Sequence, residues 1–280
     1  MWEQLFELIL KFKQNRQMMF DLIEIKYILD EAHNKYNNID FVETDPIQIP
    51  HRFSKKEDIE IAGFLTATIA WGQRKSIIKN ANRLMSFMDD SPYDFLMNGN
   101  LETDWQAVRK FVHRTFNADD CIDFMKALKH IYKNKGGLEN VMTEGFNKDK
   151  TIFSVLNHFR SVFFEIEHNA HTQKHISNVS SNSSAKRLNM FLRWMIRKDD
   201  KEIDFGLWEG VPMSALMLPL DVHTADVGRA LGILTRKQND WKAVVEITDV
   251  LRKLDVTDPI KYDFSLFGIG AFAGKAEFGL

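Results

Sequence analysis

Apolar positions with helical spacing dominate the chain from its first residues. Leu5, Leu8, Ile9 and Phe12, then Leu22, Ile23, Tyr27 and Leu29, follow this spacing and predict two helices or one long kinked helix in the N-terminal stretch. Glu3, Glu7, Lys11 and Lys13 interrupt the first run, so it reads as an amphipathic helix rather than a signal peptide or membrane span, and Met18 and Met19 offer a later start. FVETDPIQIPHRF breaks the pattern. Pro46 and Pro50 each remove an amide donor and bias the preceding residue towards extended geometry, which makes this segment a connector. From Lys56, KEDIEIAGFLTATIAWGQ has acids in its first turn and an almost wholly apolar body, which predicts a buried helix ended by Gly72. RKSIIKNANRLMSFMDD then starts a second helix with Ile77, Ile78, Ala81, Leu84 and Met88 on its apolar face, and Gln73, Arg74 and Lys75 fall at its N-terminus.

Residues 91–168 hold at least four further candidate helices. The clearest is NADDCIDFMKALKHIYKNKGG, with Asn and Asp caps, Lys in the last turn and Gly136 as the stop. TIFSVLNHFRSVFFEIEH is another, capped by Thr151, with a stripe of Phe159, Val162, Phe163 and Ile166. A Ser- and Asn-rich turn, Ser177 to Ser184, precedes a basic helix and is short enough to join two helices as a hairpin. IDFGLWEGVP is a loop, LDVHTADVGRALGIL a helix capped by Asp221, and WKAVVEITDVLRKLD and PIKYDFSLFGIGAFAGK are two closing helices. No alternating strand pattern and no fixed-period repeat is present, so the expected fold is all-α.

Composition agrees with this. Only 6 Pro and 14 Gly in 280 residues leave few turn signals for a sandwich or barrel, and 44% hydrophobic content with 22 Phe supplies a bulky core. A formal net charge of −2 gives no global attraction to nucleic acid, so any DNA footprint has to be local. Cys121 is the single cysteine, which excludes an intramolecular disulfide or a cluster held by four cysteines and places the chain in the cytoplasm.

Three segments carry candidate chemistry. IAGFLTATIAWGQRKSIIKNANRLM resembles the buried helix, Gln-containing turn and second helix that open the catalytic core of endonuclease III-like glycosylases. AKRLNMFLRWMIR is similar to their helix bearing the Schiff-base lysine, and LPLDVHTADVGRALGIL to the Val-Asp-Thr-His segment bearing their catalytic aspartate. The order is the same, and the likeness to the helix-hairpin-helix DNA glycosylase superfamily spans about residues 56–275. More closely still, the Lys-Arg-Leu-Asn and Phe-Leu-Arg-Trp-Met run resembles the signature of an uncharacterised bacterial family of helical proteins.

The resemblance implies roles residue by residue. Lys186 matches the lysine whose neutral amine attacks the sugar C1′, and Asp221 the carboxylate that stabilises positive charge on the sugar. Their separation, 221 − 186 = 35 positions, is longer than in endonuclease III and similar to the archaeal 8-oxoguanine glycosylase branch. Gln73, Arg74, Lys75, Ser184, Arg187 and His223 would meet DNA. Asp263 and Phe267, four apart, would contribute an acceptor and a ring to a base pocket, with Trp71 and Trp208 as weaker candidates for it. The implied fold is two-lobed: residues 56–198 form a helical barrel lobe, 199–280 a C-terminal lobe, and 1–55 helices that pack with the latter. The implied activity is excision of a damaged base, 8-oxoguanine by analogy, from double-stranded DNA, with or without strand cleavage by the lysine. It needs no cofactor, metal or obligate protein partner. The alternative is a catalytically inactive helical protein that binds DNA or a nucleotide on the same scaffold.

Ordinary structural roles suit the same residues. Asp221 directly before VHTADVGRAL is a good helix cap, and capping and charge stabilisation are compatible. Lys186 and the Gln73–Lys75 stretch suit a solvated surface, and Phe267 suits a core. The hairpin turn SNVSSNSSAK lacks the glycines whose amides bind phosphate in the glycosylases, although Asn178 and Asn182 tolerate left-handed geometry. His168, His171 and His175, with Glu165, would share one face of a continuous helix and form a metal-ligand set. The poor helix content of EHNAHTQKHIS and the lack of a second cluster nearby favour a polar surface instead.

Overall fold

Residues 21–100 and 103–273 are described in a computed structural model of the protein, and helices are its only extended secondary structure there; the bridges His113–Phe116 and Ser183–Asp240 are isolated. The amphipathic N-terminal run with Met18 and Met19 lies outside the described residues. α1 covers residues 21–36, and α2 (Asp40–Thr44) with two 3₁₀ turns, Pro46–Gln48 and Pro50–Arg52, makes up the Pro-containing connector. Each 3₁₀ turn begins on its proline, where the missing amide costs nothing.

α3 (Lys56–Thr68) is buried along its length from Ile59 to Thr68, and Gly72, at φ +104°, turns the chain into α4 (Arg74–Phe87). α5 (Pro92–Asn98), α6 (Ala118–Asn134), α7 (Leu138–Asp149) and α8 (Ile152–Phe163) fill the region where four helices are predicted. The expected caps are in place: Asn117 and Asp120 form a reciprocal capping box on α6, and Thr151 accepts from the Ser154 amide at 3.2 Å on α8. After α9 (Lys186–Ile196) come α10 (Val222–Ala230), α11 (Trp241–Leu254) and α12 (Tyr262–Gly268), the last running into a π-helical turn, Ile269–Ala273.

Buried side chains from α1 through α12 form one contiguous cluster. Its aromatic centre is Phe64, whose ring lies 5.4–5.8 Å from those of Phe124, Phe159, Phe163 and Phe191. α9 approaches α3 closely because residue 63 is glycine: a Cβ there would stand 3.2 Å from Met195 Cε. This contact fixes the N-terminal end of α9 beside the turn between α3 and α4, where the cavity described below opens. Among the described residues no helix is long and apolar enough to cross a membrane.

Candidate active site

Lys186 is the first residue of α9, and Asp221 is the N-cap of α10. Ala185, left-handed at φ +50°, redirects the chain into α9, and Asp221 is extended at φ −119°. The two oxygens of Asp221 divide their duties. Oδ1 accepts the Thr224 amide at 2.9 Å, completing a capping box in which Thr224 Oγ1 accepts the Asp221 amide at 2.8 Å. Oδ2 faces Lys186 Nζ at 3.0 Å, with 36% of the lysine side chain and 14% of the aspartate exposed. Burial by itself would raise the pKa of Asp221, but the Lys186 charge and the Thr224 amide together bring it below the ordinary carboxylate value. An anion is therefore held in place at neutral pH.

The pair stands in the wall of a cavity of about 580 Å³. Lys186, Met190 and Arg193, at i, i+4 and i+7, present one face of α9 to it, and Trp71, Gly72 and Arg74 line it from the turn between α3 and α4. His223 of α10, with Asp263 and Phe267 of α12, forms the facing wall, and the connector contributes Phe41, Asp45 and Pro46. Such a volume falls within the range of ordinary small-molecule sites. Behind Met190 the cavity meets a buried charge network. Arg193 donates through Nε to Asp204 at 3.2 Å and through Nη1 to Asp263, while Arg197 pairs with Asp199, Asp204 and Asp258 at 2.8, 3.1 and 3.0 Å. Burial pushes the Asp263 carboxyl up to about 6 despite Arg193, and Asp221 adds to the rise. Asp45 is likewise raised by burial.

Residues 45–272 match the profile of a family described as a protein of unknown function, DUF2400. The chain belongs to the DUF2400 family. No curated protein and no solved structure matches it. The DUF2400 segment contains every residue lining the cavity except Phe41.

Of the residues singled out in the sequence, the DUF2400 fold brings Trp71, Arg74, Ser184, Lys186, Arg187, Asp221, His223, Asp263 and Phe267 to this cavity. Gln73 and Lys75 are exposed beside its mouth, and Arg74 lies 5.5 Å over the rings of both Phe267 and Phe272. Phe267 is half-buried, edge-on to His223 at 6.1 Å, and so belongs to the cavity wall as well as the core.

Four expectations need correction. Arg187, expected at the DNA, has its guanidinium engaged within the fold: it donates to the carbonyls of Thr68 and His175 and stacks 4.8 Å over Trp71, bracing the wall. Trp208 is a core residue, donating to Glu60 Oε1 at 2.6 Å and absent from the cavity. The Ser- and Asn-rich turn does not join two α-helices, because only the 3₁₀ segments Ala170–His175 and Val179–Ser181 lie between α8 and α9. There Asn182 is left-handed as expected, whereas Asn178 caps Ser181. Finally, the histidines are neither one helix face nor a simple polar surface. His168 hydrogen-bonds to the Ile166 carbonyl and Glu165 pairs with Lys135 and His130, while His175 is buried against Asp120. The side chains of this segment bind α6 instead of continuing a helix.

Sequence reading missed Arg193 and Asp45. A signal for Arg193 was present: an arginine seven positions after Lys186 falls on the same helical face, within a run of otherwise apolar residues. Asp45 stands before Pro46 and bonds the Ile47 amide at 3.1 Å, a turn-forming role that hides its position in the cavity wall.

Proposed function

We propose that this DUF2400 protein is a base-excision DNA glycosylase on a two-lobed scaffold like that of the helix-hairpin-helix enzymes, acting on a damaged base turned out of double-stranded DNA. The observation that carries the reading is the 3.0 Å Lys186–Asp221 contact inside a cavity walled by aromatic rings. These residues lie 35 positions apart in the chain (221 − 186) and come from different helices, and their meeting in one cavity supports the reading.

Breaking the C1′–N bond leaves positive charge on the sugar, and an anion already in position strengthens its interaction as that charge develops. Asp221 is such an anion, with its second oxygen tied to a helix N-terminus. Lys186 enters after base departure. Once it has lost a proton to the leaving base or to water, its amine adds to C1′; the C1′–O4′ bond then opens, a proton passing from the added nitrogen to O4′, and the resulting Schiff base permits strand cleavage. Trp71 and Phe267 supply flat surfaces for the base, and Asp263 and Asp45 supply carboxyl groups for its polar edge. Gln73, Arg74 and Lys75 at the mouth, with Ser184 and His223, supply the local contacts to the strand that the net charge of −2 does not.

Borohydride trapping on duplex oligonucleotides with single lesions, beginning with 8-oxoguanine, tests the reading. A covalent adduct is expected with the native protein and not with Lys186→Gln. Excision that survives Lys186→Gln but not Asp221→Asn would assign a glycosylase without lyase action. Tight lesion binding with neither activity would assign the binding-only alternative.

A further inference from the structure

Some distance along the same wall, the N-terminal turn of α6 meets the Ala170–His175 segment through a second polar cluster, independent of the reading above. Asp120 is fully buried, and its Oδ1 lies 2.8 Å from His171 Nδ1 and its Oδ2 3.1 Å from His175 Nε2. The three ligand atoms lie within 4.8 Å of one another. Ligands on a tetrahedral zinc ion stand about 3.3 Å apart, given metal–ligand bonds of about 2.0–2.2 Å. Side-chain shifts of up to about 0.8 Å each would therefore place one ion among them.

The carboxylates nearby favour a cation. Asp123, also buried, is one turn along α6, and the Thr172 hydroxyl lies 3.0 Å from Asp120 Oδ1 and 2.7 Å from Asp123 Oδ2. A hydroxyl has one proton and satisfies only one of them. Among the described residues no lysine or arginine pairs with either carboxylate. Asp120 Oδ2 also accepts the Asn117 amide at 2.9 Å, and Asp123 Oδ2 accepts from Asn169 through its amide at 2.8 Å and its side chain at 3.1 Å, so both are hydrogen-bonded anions without a fixed positive charge, which a bound ion supplies.

We propose that Asp120, His171 and His175 form a binding site for a divalent first-row transition ion, Zn²⁺ in the first instance, with water completing the coordination on the exposed His171 side. Two imidazoles and one carboxylate suit such an ion rather than Mg²⁺ or Ca²⁺, which take oxygen ligands. The ion would pin the Ala170–His175 segment to α6. It would also hold the cavity wall, because the His175 ring stacks 6.0 Å from Trp71 and its carbonyl accepts from Arg187. Lys174, which donates to His171 Nε2 at 2.5 Å, is exposed and free to swing away as that nitrogen takes up the ring proton.

The test is calorimetric titration of ZnCl₂ into the full chain, stripped by chelation and carrying no affinity tag, with Co²⁺ absorption as a second readout. One saturable equivalent per chain and visible Co²⁺ bands are expected. His171→Ala, at an exposed position and so expected to fold, should weaken Zn²⁺ binding by at least the roughly 10- to 100-fold that loss of an outer-shell partner costs. His168→Ala should bind as the native chain does. No saturable binding by the native chain, binding unchanged in His171→Ala, or binding lost equally in His168→Ala would overturn the assignment.

Discussion

Two sets of charges lie along α9 and at its C-terminal cap. Lys186, at the N-terminal turn, has one carboxylate partner and a side chain 36% exposed, whereas Arg193 and Arg197, two and three turns on, are 5% and 1% exposed and share four carboxylates. Asp204 sits between the two guanidiniums, and Asp199, Asp258 and Asp263 surround them. Water can replace a lost partner at the first position and cannot at the second. The helix thus separates a region that can change its partners during a reaction from one that cannot change without endangering the fold.

Removing a buried guanidinium is the severest way to test that contrast. Arg193→Ala strands Asp263 in a dry interior and leaves Asp204 with Arg197 alone, and breaking a buried pair costs about 3–5 kcal/mol. Urea unfolding should show a loss of this order or no folded yield. A variant within about 1 kcal/mol of the native chain would mean that the network is hydrated and the contrast unfounded.

Four carboxylates around two guanidiniums leave an excess of negative charge, and burial raises both Asp258 and Asp263, the latter to about 6. A carboxyl raised in the folded state stabilises the fold most when both states are protonated, below the unfolded value near 3.8, and that contribution disappears as pH rises through about 6. Between pH 7 and 5 the native chain should therefore gain stability relative to Asp263→Asn. His33, His113 and His175, all lowered by burial, act in the opposite direction over neighbouring pH values, so the informative quantity is the difference between the two chains. Parallel urea midpoints from pH 7 to 5 would place the titration elsewhere.

How much of this was legible in the sequence follows from the range of each interaction. The helices carrying Lys186 and Asp221, the Asp221 cap and the all-α class depend on neighbours within a turn or two, and spacing reveals such neighbours. The pair itself was reached through resemblance, since nothing local in either segment points to the other. Asp120 with His175, and Arg193 with Asp263, are joined by tertiary packing across 55 and 70 positions, so they left no local pattern to read. The histidine segment misled for a related reason: its polar composition and poor helix content suit a solvated surface, but its polar side chains are committed to carboxylates on α6.

A milder probe divides the two oxygens of Asp221. Asp221→Ala removes both the cap and the charge, and loss of an N-cap costs about 0.5–2 kcal/mol. Asp221→Asn keeps an acceptor for the Thr224 amide and should hold most of that stability while abolishing the anion that excision is proposed to use. Thermal melts and single-turnover excision on the two variants check this. Equal destabilisation by both would make the charge, not the cap, the structural contribution.

Lys186→Gln should disturb the fold least. Its partly exposed pair with Asp221 is of the kind that contributes about 0–1 kcal/mol, and Asp221 keeps the Thr224 amide and gains access to water when the lysine is removed. Its pKa, now lowered in part by Lys186, should move back towards the ordinary carboxylate range, a shift that carbon-13 NMR of the Asp221 carboxyl can follow. Stability close to native together with complete loss of the borohydride adduct would place Lys186 on the reactive side of the contrast within α9. A loss of several kcal/mol would instead make it a structural partner like Arg193, and the separation between the two turns would fall.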